Sequence, residues 1–359
     1  MVHIILEQPS KLLLPYKVFW AAYSMQKRIY MTRTFYICIG ILHILIACQQ
    51  GECPYQKSSG YTFGTQYHIT YQSPVAYQNE IEEVLARIDA SLSAFNPKST
   101  LSRINKNLTQ EADSDCLKVI RMALDISQKT EGAFDITVAP MVNAWGFGFK
   151  NAQRVTPATI DSLKNIVGYQ RLSCQGNRIK KSQPEIQLDC SAIAKGYACE
   201  EVARMLENKG IENYLVEIGG EIQAKGINQS HKIWNIGIAV PEEDSLADSS
   251  SPVMTILCIT NAGIATSGNY RNFYYKDGKK YAHTIDPRTG HPVQHSILSS
   301  TVIAPTCAEA DAYATAFMVT GLEKAQDILQ HNKHLKAYFI YSNSKGQYRI
   351  WKSPNMTQQ

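Results

Sequence analysis

The feature that most constrains the fold is the succession of strand-like and helix-like runs beyond residue 60, in which several strands lie next to one another in the chain. Residues 61–71 alternate β-forming side chains and read as a first strand. Ile81, Val84, Leu85, Ile88 and Leu92 recur at helical spacing, with Asn79, Glu82 and Glu83 placed to cap the helix and complement its dipole. Residues 116–130 repeat that pattern, residues 156–165 read as a capped helix, and residues 194–208 form a long helix closed by Gly210. Residues 178–188 read as a hairpin around 181–185, and 234–240 and 254–260 as strands. Residues 214–224 read as a strand broken at Gly219-Gly220 by a bulge or by a close backbone approach to a ligand. A turn is expected at Thr266-Ser267-Gly268-Asn269. These runs predict an α+β fold of largely antiparallel sheets with helices packed on their outer faces.

The first 47 residues stay outside that fold. Lys27, Arg28 and Arg33 precede an apolar run of roughly twelve residues at 35–46, too short to span a bilayer comfortably. The run ends in Leu45-Ile46-Ala47-Cys48, which resembles a bacterial lipobox. An amphipathic or buried apolar segment is the other reading. The ordering of charge, apolar run, small residue and cysteine favours a signal peptide at 25–47 with lipidation at Cys48. The product is then expected at the bacterial inner membrane, anchored through lipid on the periplasmic side. Residues 1–24 show no clear period and read as lying upstream of a true start at Met25 or Met31. Residues 48–60 read as a tether, and 61–359 as the globular domain.

A formal net charge of +5, carried by scattered lysines and arginines, excludes a nucleic-acid groove, which requires a basic stripe with aromatic partners. Nine cysteines contain no CxxC pair and no Cys/His cluster at zinc spacing, so free buried thiols are expected. GxxxxGK[ST], GxGxxG after a strand, and GxSxG are all absent, which removes the common nucleotide-binding and hydrolase templates.

Chemistry concentrates in residues 283–315. His283 opens a turn that runs through Asp286, Arg288 and Thr289, residues suited to bracing it. Asp311 and Thr315 then place two oxygen donors at i and i+4, on one helical face, beside a potential base. Without further support, a surface pair is the commoner reading of that spacing. Asp189 and Lys195 flank a small-residue turn at a helix start, where backbone amides and an ammonium can receive phosphate, or where a simple cap precedes a surface lysine. The run 132–140, followed by Trp145 and Phe147, supplies either core residues or a platform for a flat ring.

In order, FGTQYHITY, LSAFNPKSTLSRIN, GAFDITVAPMVNAWGFG, LDCSAIAKGYA, YLVEIGGEI, GIATSGNYRNFY, HTIDPRTGHPV and ADAYATA resemble the ApbE family of FAD:protein FMN transferases. The resemblance implies a T-fold-like duplicated arrangement with FAD in the cleft between halves. It also implies Mg2+-dependent transfer of FMN from FAD to a threonine hydroxyl of an acceptor protein, with release of AMP. Extracytoplasmic subunits of the sodium-pumping NADH:quinone reductase and of Rnf-type complexes are the implied acceptors. The implied Mg2+ ligands are the backbone oxygen of Ala192 and the side chains of Asp311 and Thr315. FAD contacts fall on Phe63, Phe95, Ala133, Phe134, Asp135, Asp189, Lys195 and Ile285. The family often has methionine in place of Phe63 and tyrosine in place of Phe95. His283 is the expected general base, with Asp311 at the reaction centre. Two other activities share these residues: hydrolysis of FAD to FMN and AMP, and FAD binding by a membrane-tethered carrier without turnover.

Overall fold

The computed structural model describes Tyr23, residues 25–28, 30–33, 53–147, 155–241, 253–269, 273–276, 279–343 and 345–356. The chain divides into Met1–Cys53 and Pro54–Gln359. In the first unit the described residues between 23 and 33 are helical; the apolar run and Cys48 lie outside the described residues. No helix among the described residues is long and apolar enough to cross a membrane.

The second unit opens with β1 (Tyr55–Thr62) and β2 (Thr65–Gln72), paired from Tyr55 with Gln72 to Thr62 with Thr65. Residues 55–60, expected in the tether, are therefore sheet. Their polar composition is that of an edge strand exposed along much of its length, which hides the β pattern. The single strand expected at 61–71 is instead the end of β1, a turn at Phe63-Gly64, and β2. Helices α1 (Gln78–Leu92), α2 (Thr100–Asn105), α3 (Ser114–Lys129), α4 (Ala139–Ala144) and α5 (Pro157–Lys164) follow. Tyr77, not Asn79, occupies the N-cap of α1 and makes no side-chain cap. Asp113 caps α3 by accepting from Cys116 N, and Thr156 with Thr159 forms a reciprocal capping box on α5.

Strands β3 (Leu172–Gln175) and β4 (Arg178–Lys181) form a hairpin one strand earlier than expected. Residues 182–188 do not pair back onto it. They wrap the Lys181 ammonium, which donates to the carbonyls of Ile104, Pro184 and Ile186 at 3.1, 3.1 and 3.0 Å. After α6 (Ser191–Asn208), β5 (Tyr214–Ile218) and β6 (Glu221–Lys225) form a tight hairpin. Gly219 and Gly220 carry φ of 63° and 101°, so the break expected there as a bulge or a close approach to a ligand is a two-residue turn that needs glycine at both places. Strands β7 (Trp234–Ala239) and β8 (Val253–Ile259) pair with each other. Strand β9 (Ala262–Gly268) continues through Thr266 and Ser267, where a turn was expected.

Two short hairpins follow, β10 (Phe273–Lys276) with β11 (Lys279–Ala282) and β12 (Ile285–Asp286) with β13 (His291–Pro292). The chain ends with β14 (Ile297–Ala304), α7 (Cys307–Thr320), α8 (Leu322–His331), β15 (Lys336–Ser342) and β16 (Tyr348–Lys352).

One eight-stranded sheet organises the unit in the order β1-β2-β5-β6-β9-β14-β15-β16, with every neighbour antiparallel. The order is two repeats of strand pair, helices, strand pair, joined where β6 meets β9. This is the duplicated, T-fold-like α+β arrangement expected. The helices cover a single face, whereas the other is closed by the β7–β8 hairpin. Alternation along each strand shows why: Val302 and Phe339 join the helices in the main core, while Ile303, Tyr338 and Ile340 pack with Trp234 and Ile238 beneath the hairpin. Each large apolar side chain buried this way contributes roughly 1.5–3 kcal/mol.

α7 is buried nearly all round, so its small residues set how closely its neighbours approach. A Cβ on Gly196 would stand 2.4 Å from Cys307 O, and one on Gly263 2.4 Å from Cys307 Cα. Glycine at both positions lets α6 and β9 close on the start of α7, which brings the two repeats together. Cys116, Cys190, Cys199 and Cys307 are the buried free thiols expected, and Cys174 is a free thiol only partly buried.

Candidate active site

A cleft of about 590 Å³ opens where α6 and α7 meet. The excursion between α3 and α6 delivers Ala133, Phe134, Asp135 and Phe147 to it, and the excursion between β9 and β14 delivers His283 and Ile285. From α6 come Ala192 and Lys195, preceded by Asp189; from α7 come Asp311 and Thr315; Phe95 stands at the rim, 76% exposed. Every site residue expected in the second unit lines this cleft except Phe63. That residue has φ of 50° in the β1–β2 turn and packs against the main core. Its place in the motif therefore does not bring it to the cleft lining.

At the start of α6, Asp189 Oδ1 accepts from Ser191 N at 2.8 Å and from Ser191 Oγ, while Asp189 N donates to Ile136 O at 2.7 Å. Asp189 thus closes a local turn onto Ser191, ahead of Cys190, which occupies the N-cap without a side-chain cap, and it is also the tie to the segment carrying Asp135. Lys195 is no surface lysine: its Nζ lies 2.9 Å from Glu221 Oε1, on the first residue of β6. Burial works against the ammonium, but Asp311 and Glu221 outweigh it and hold Lys195 above its ordinary value. Burial also raises Glu221 and Asp311, with Lys195 opposing both shifts.

Asp311 is 3% exposed and its Oδ2 accepts from Gly196 N at 3.1 Å. In a regular helix that amide serves Ala192 O, so Asp311 competes for the donor of the carbonyl expected at a metal. One turn further along α7, Thr315 Oγ1 lies 3.1 Å from Ser267 Oγ on β9. Carboxylate, hydroxyl and carbonyl oxygens are the hard donors that Mg2+ selects, and the set fits that ion. No group of three His, Cys, Asp or Glu side chains among the described residues offers an alternative metal site.

The aromatic part of the lining is mixed in role. Phe147 meets His283 edge-on, ring centroids 6.4 Å apart at 70°. Trp145 does not line the cleft; its Nε1 donates to Gly290 O at 2.8 Å and clasps the β12–β13 turn. That turn is braced as expected by Arg288, whose Nε and Nη2 donate to the two oxygens of Asp286, each at 2.9 Å. Asp135 commits its carboxylate locally, accepting from Thr137 N, Thr137 Oγ1 and Tyr169 N at 2.8, 2.7 and 2.6 Å. Burial raises it, and those three bonds pull the other way.

Sequence reasoning missed Glu221 and Ser267 as site residues. Glu221 could have been found as an acidic residue opening a strand that must face a helical core; Ser267 was obscured by reading its segment as a turn.

Fold and site define a duplicated antiparallel α+β protein whose cleft combines aromatic side chains with a lysine and three buried carboxylates, Asp135, Glu221 and Asp311. The model of the ApbE family matches residues 63–339, well over half of the sequence, and the chain belongs to the ApbE family. It is 37% identical to a FAD:protein FMN transferase of Haemophilus influenzae, covering 86% of this chain and 93% of that protein. Identity to the Vibrio cholerae FAD:protein FMN transferase is 36%, covering 84% and 92%. Among solved structures, the flavin transferase ApbE from Vibrio cholerae matches with a TM-score of 0.76 at 36% identity, covering 85% of this chain and 98% of that one. An ApbE protein from Thermotoga maritima matches with a TM-score of 0.73 at 25% identity, covering 85% and 98%.

Proposed function

We propose that this chain transfers the FMN moiety of FAD to a threonine hydroxyl of an acceptor protein and releases AMP. The observation that carries the reading is the convergence of Lys195, Asp311, Thr315 and His283 on one cleft walled by Phe134, Phe147 and Ile285. Its volume of about 590 Å³ is ample for a substantial part of a dinucleotide.

In this reaction the threonine oxygen forms a bond to the FMN phosphorus, and the bond from that phosphorus to the bridging oxygen breaks. The electron pair leaves with AMP, and the threonine proton passes to His283. Lys195 would offset charge on the diphosphate, and the apolar wall would exclude water from the ring. Ala192 O, Asp311 and Thr315 would hold Mg2+. When bound, the ion withdraws charge from the diphosphate.

The Cys48 motif supports a lipid anchor on the periplasmic side of the inner membrane. Acceptors there would be extracytoplasmic subunits of redox complexes of the sodium-pumping NADH:quinone reductase and Rnf types. The test is incubation with FAD, MgCl2 and an acceptor domain, followed by in-gel flavin fluorescence. A labelled acceptor band, lost when its threonine is replaced by valine, is expected. FMN and AMP without a labelled band would instead assign a pyrophosphatase, and bound but unconverted FAD a carrier.

A further inference from the structure

We propose that Glu221 is a positioning residue that holds the Lys195 ammonium away from Asp311, so that the Asp311 carboxylate stays available to a divalent cation. The inference rests on the metal reading of the site given above.

Three observations point to it. Lys195 lies within reach of the fields of two buried carboxylates, Glu221 and Asp311, yet its close ion pair, at 2.9 Å, is with Glu221. Glu221 is only 5% exposed, and its Oε2 has no hydrogen-bond partner among the described residues. A carboxylate kept buried with one oxygen unsatisfied is poor for stability, and an apolar residue would suit a strand position facing the helices. The backbone also fixes where Glu221 stands. It opens β6 directly after the two-glycine turn, and its carbonyl accepts from Cys199 Sγ at 3.2 Å, on the α6 turn after Lys195.

Charge completes the argument. With both carboxylates ionised, Lys195 contributes +1 and they contribute −2, a net −1 that a divalent cation turns into +1 facing a diphosphate. Without the Glu221 charge, the long and flexible lysine has Asp311 as its remaining buried anion, and an ammonium there competes directly with the metal.

The test is calorimetric titration of MgCl2 into the FAD-loaded chain and three variants, with thermal melts to establish folding. Glu221→Gln should weaken Mg2+ binding about tenfold. Lys195→Met should bind Mg2+ at least as tightly as the unsubstituted chain. Glu221→Gln/Lys195→Met should recover the lost affinity, because no ammonium remains to occupy Asp311. Should Glu221→Gln fail to fold, Glu221→Asp serves in its place: it keeps the charge but draws it back, and a smaller loss, again reversed by Lys195→Met, is expected. Unchanged Mg2+ affinity in Glu221→Gln overturns the inference alone, as does a loss that persists in the double variant, since that marks a merely structural residue. No Mg2+ binding by the unsubstituted chain overturns the metal reading and the inference together.

Discussion

Asp311 Oδ2 accepts a hydrogen bond from Gly196 N at 3.1 Å, joining α7 to the first turns of α6 through a carboxylate and a backbone amide. The contact exists because Gly196 has no side chain to hold the helices apart. It gives the Asp311 carboxylate one fixed direction, and it draws on the amide that would otherwise serve Ala192 O. Helix packing and metal-site geometry are therefore one arrangement, from which different substitutions should remove different parts.

Asp311→Asn keeps an oxygen that can accept from Gly196 but removes the charge. The variant is expected to fold, to lose the Mg2+-dependent rise in melting temperature, and to label an acceptor on the order of a hundredfold more slowly. Thermal melts with and without MgCl2, alongside in-gel fluorescence time courses, check both parts. A full Mg2+ response in the variant would count against Asp311 as a ligand.

Gly196→Ala probes the packing. Its Cβ would meet Cys307 O at 2.4 Å, and both partners belong to buried backbone that cannot swing aside. Destabilisation of about 1–3 kcal/mol by urea unfolding is expected, with weaker Mg2+ binding even where the variant is fully folded.

His283→Gln should leave FAD affinity within a few-fold of the unsubstituted chain, because the aromatic wall and Lys195 remain. The transfer rate should fall by roughly 10²–10⁴. Fluorescence quenching of FAD measures the first and acceptor labelling the second. Equal losses in both would assign His283 to binding instead of proton transfer.

Residues whose roles depend on spacing within one helix were legible in the sequence. Asp311 and Thr315 sit at i and i+4, and the helix that carries them forms as expected. Glu221 was not legible, because its significance lies in facing Lys195 from a strand that follows α6 in the chain. The fold shows the same division. Helices α1 and α3 and strands β5 and β7 follow the expected apolar periods, whereas β9, a central strand, reads as a turn at Thr266-Ser267-Gly268 and β1, a polar edge strand exposed along much of its length, reads as tether. Phe63 marks a further limit, since a motif position identifies a residue but not the β1–β2 turn, with φ of 50°, on which it stands.

His295, which is not among the residues lining the cleft, supplies a pH dependence separate from the proposed chemistry. Its Nε2 donates to Met318 O at 2.6 Å, and its Nδ1 accepts from Ile297 N at 3.2 Å, an arrangement only the neutral ring can satisfy. Burial lowers its affinity for a proton, and the backbone contact at Met318 restores only part of it, so the folded chain holds the ring below its ordinary value of 6.5. The unfolded chain then binds more protons than the folded one as pH falls below that value. The stabilisation is fully present above it and declines toward the folded-state value as acid is added. Protonation also breaks the bond from Ile297 N, at the entry to β14. His295→Gln should therefore cost about 1–2 kcal/mol near neutrality through its two hydrogen bonds. Between neutral and mildly acid pH its stability should fall less steeply than that of the unsubstituted chain. Urea midpoints measured across that range test the difference in slope, which isolates His295 because all other titrating groups are shared.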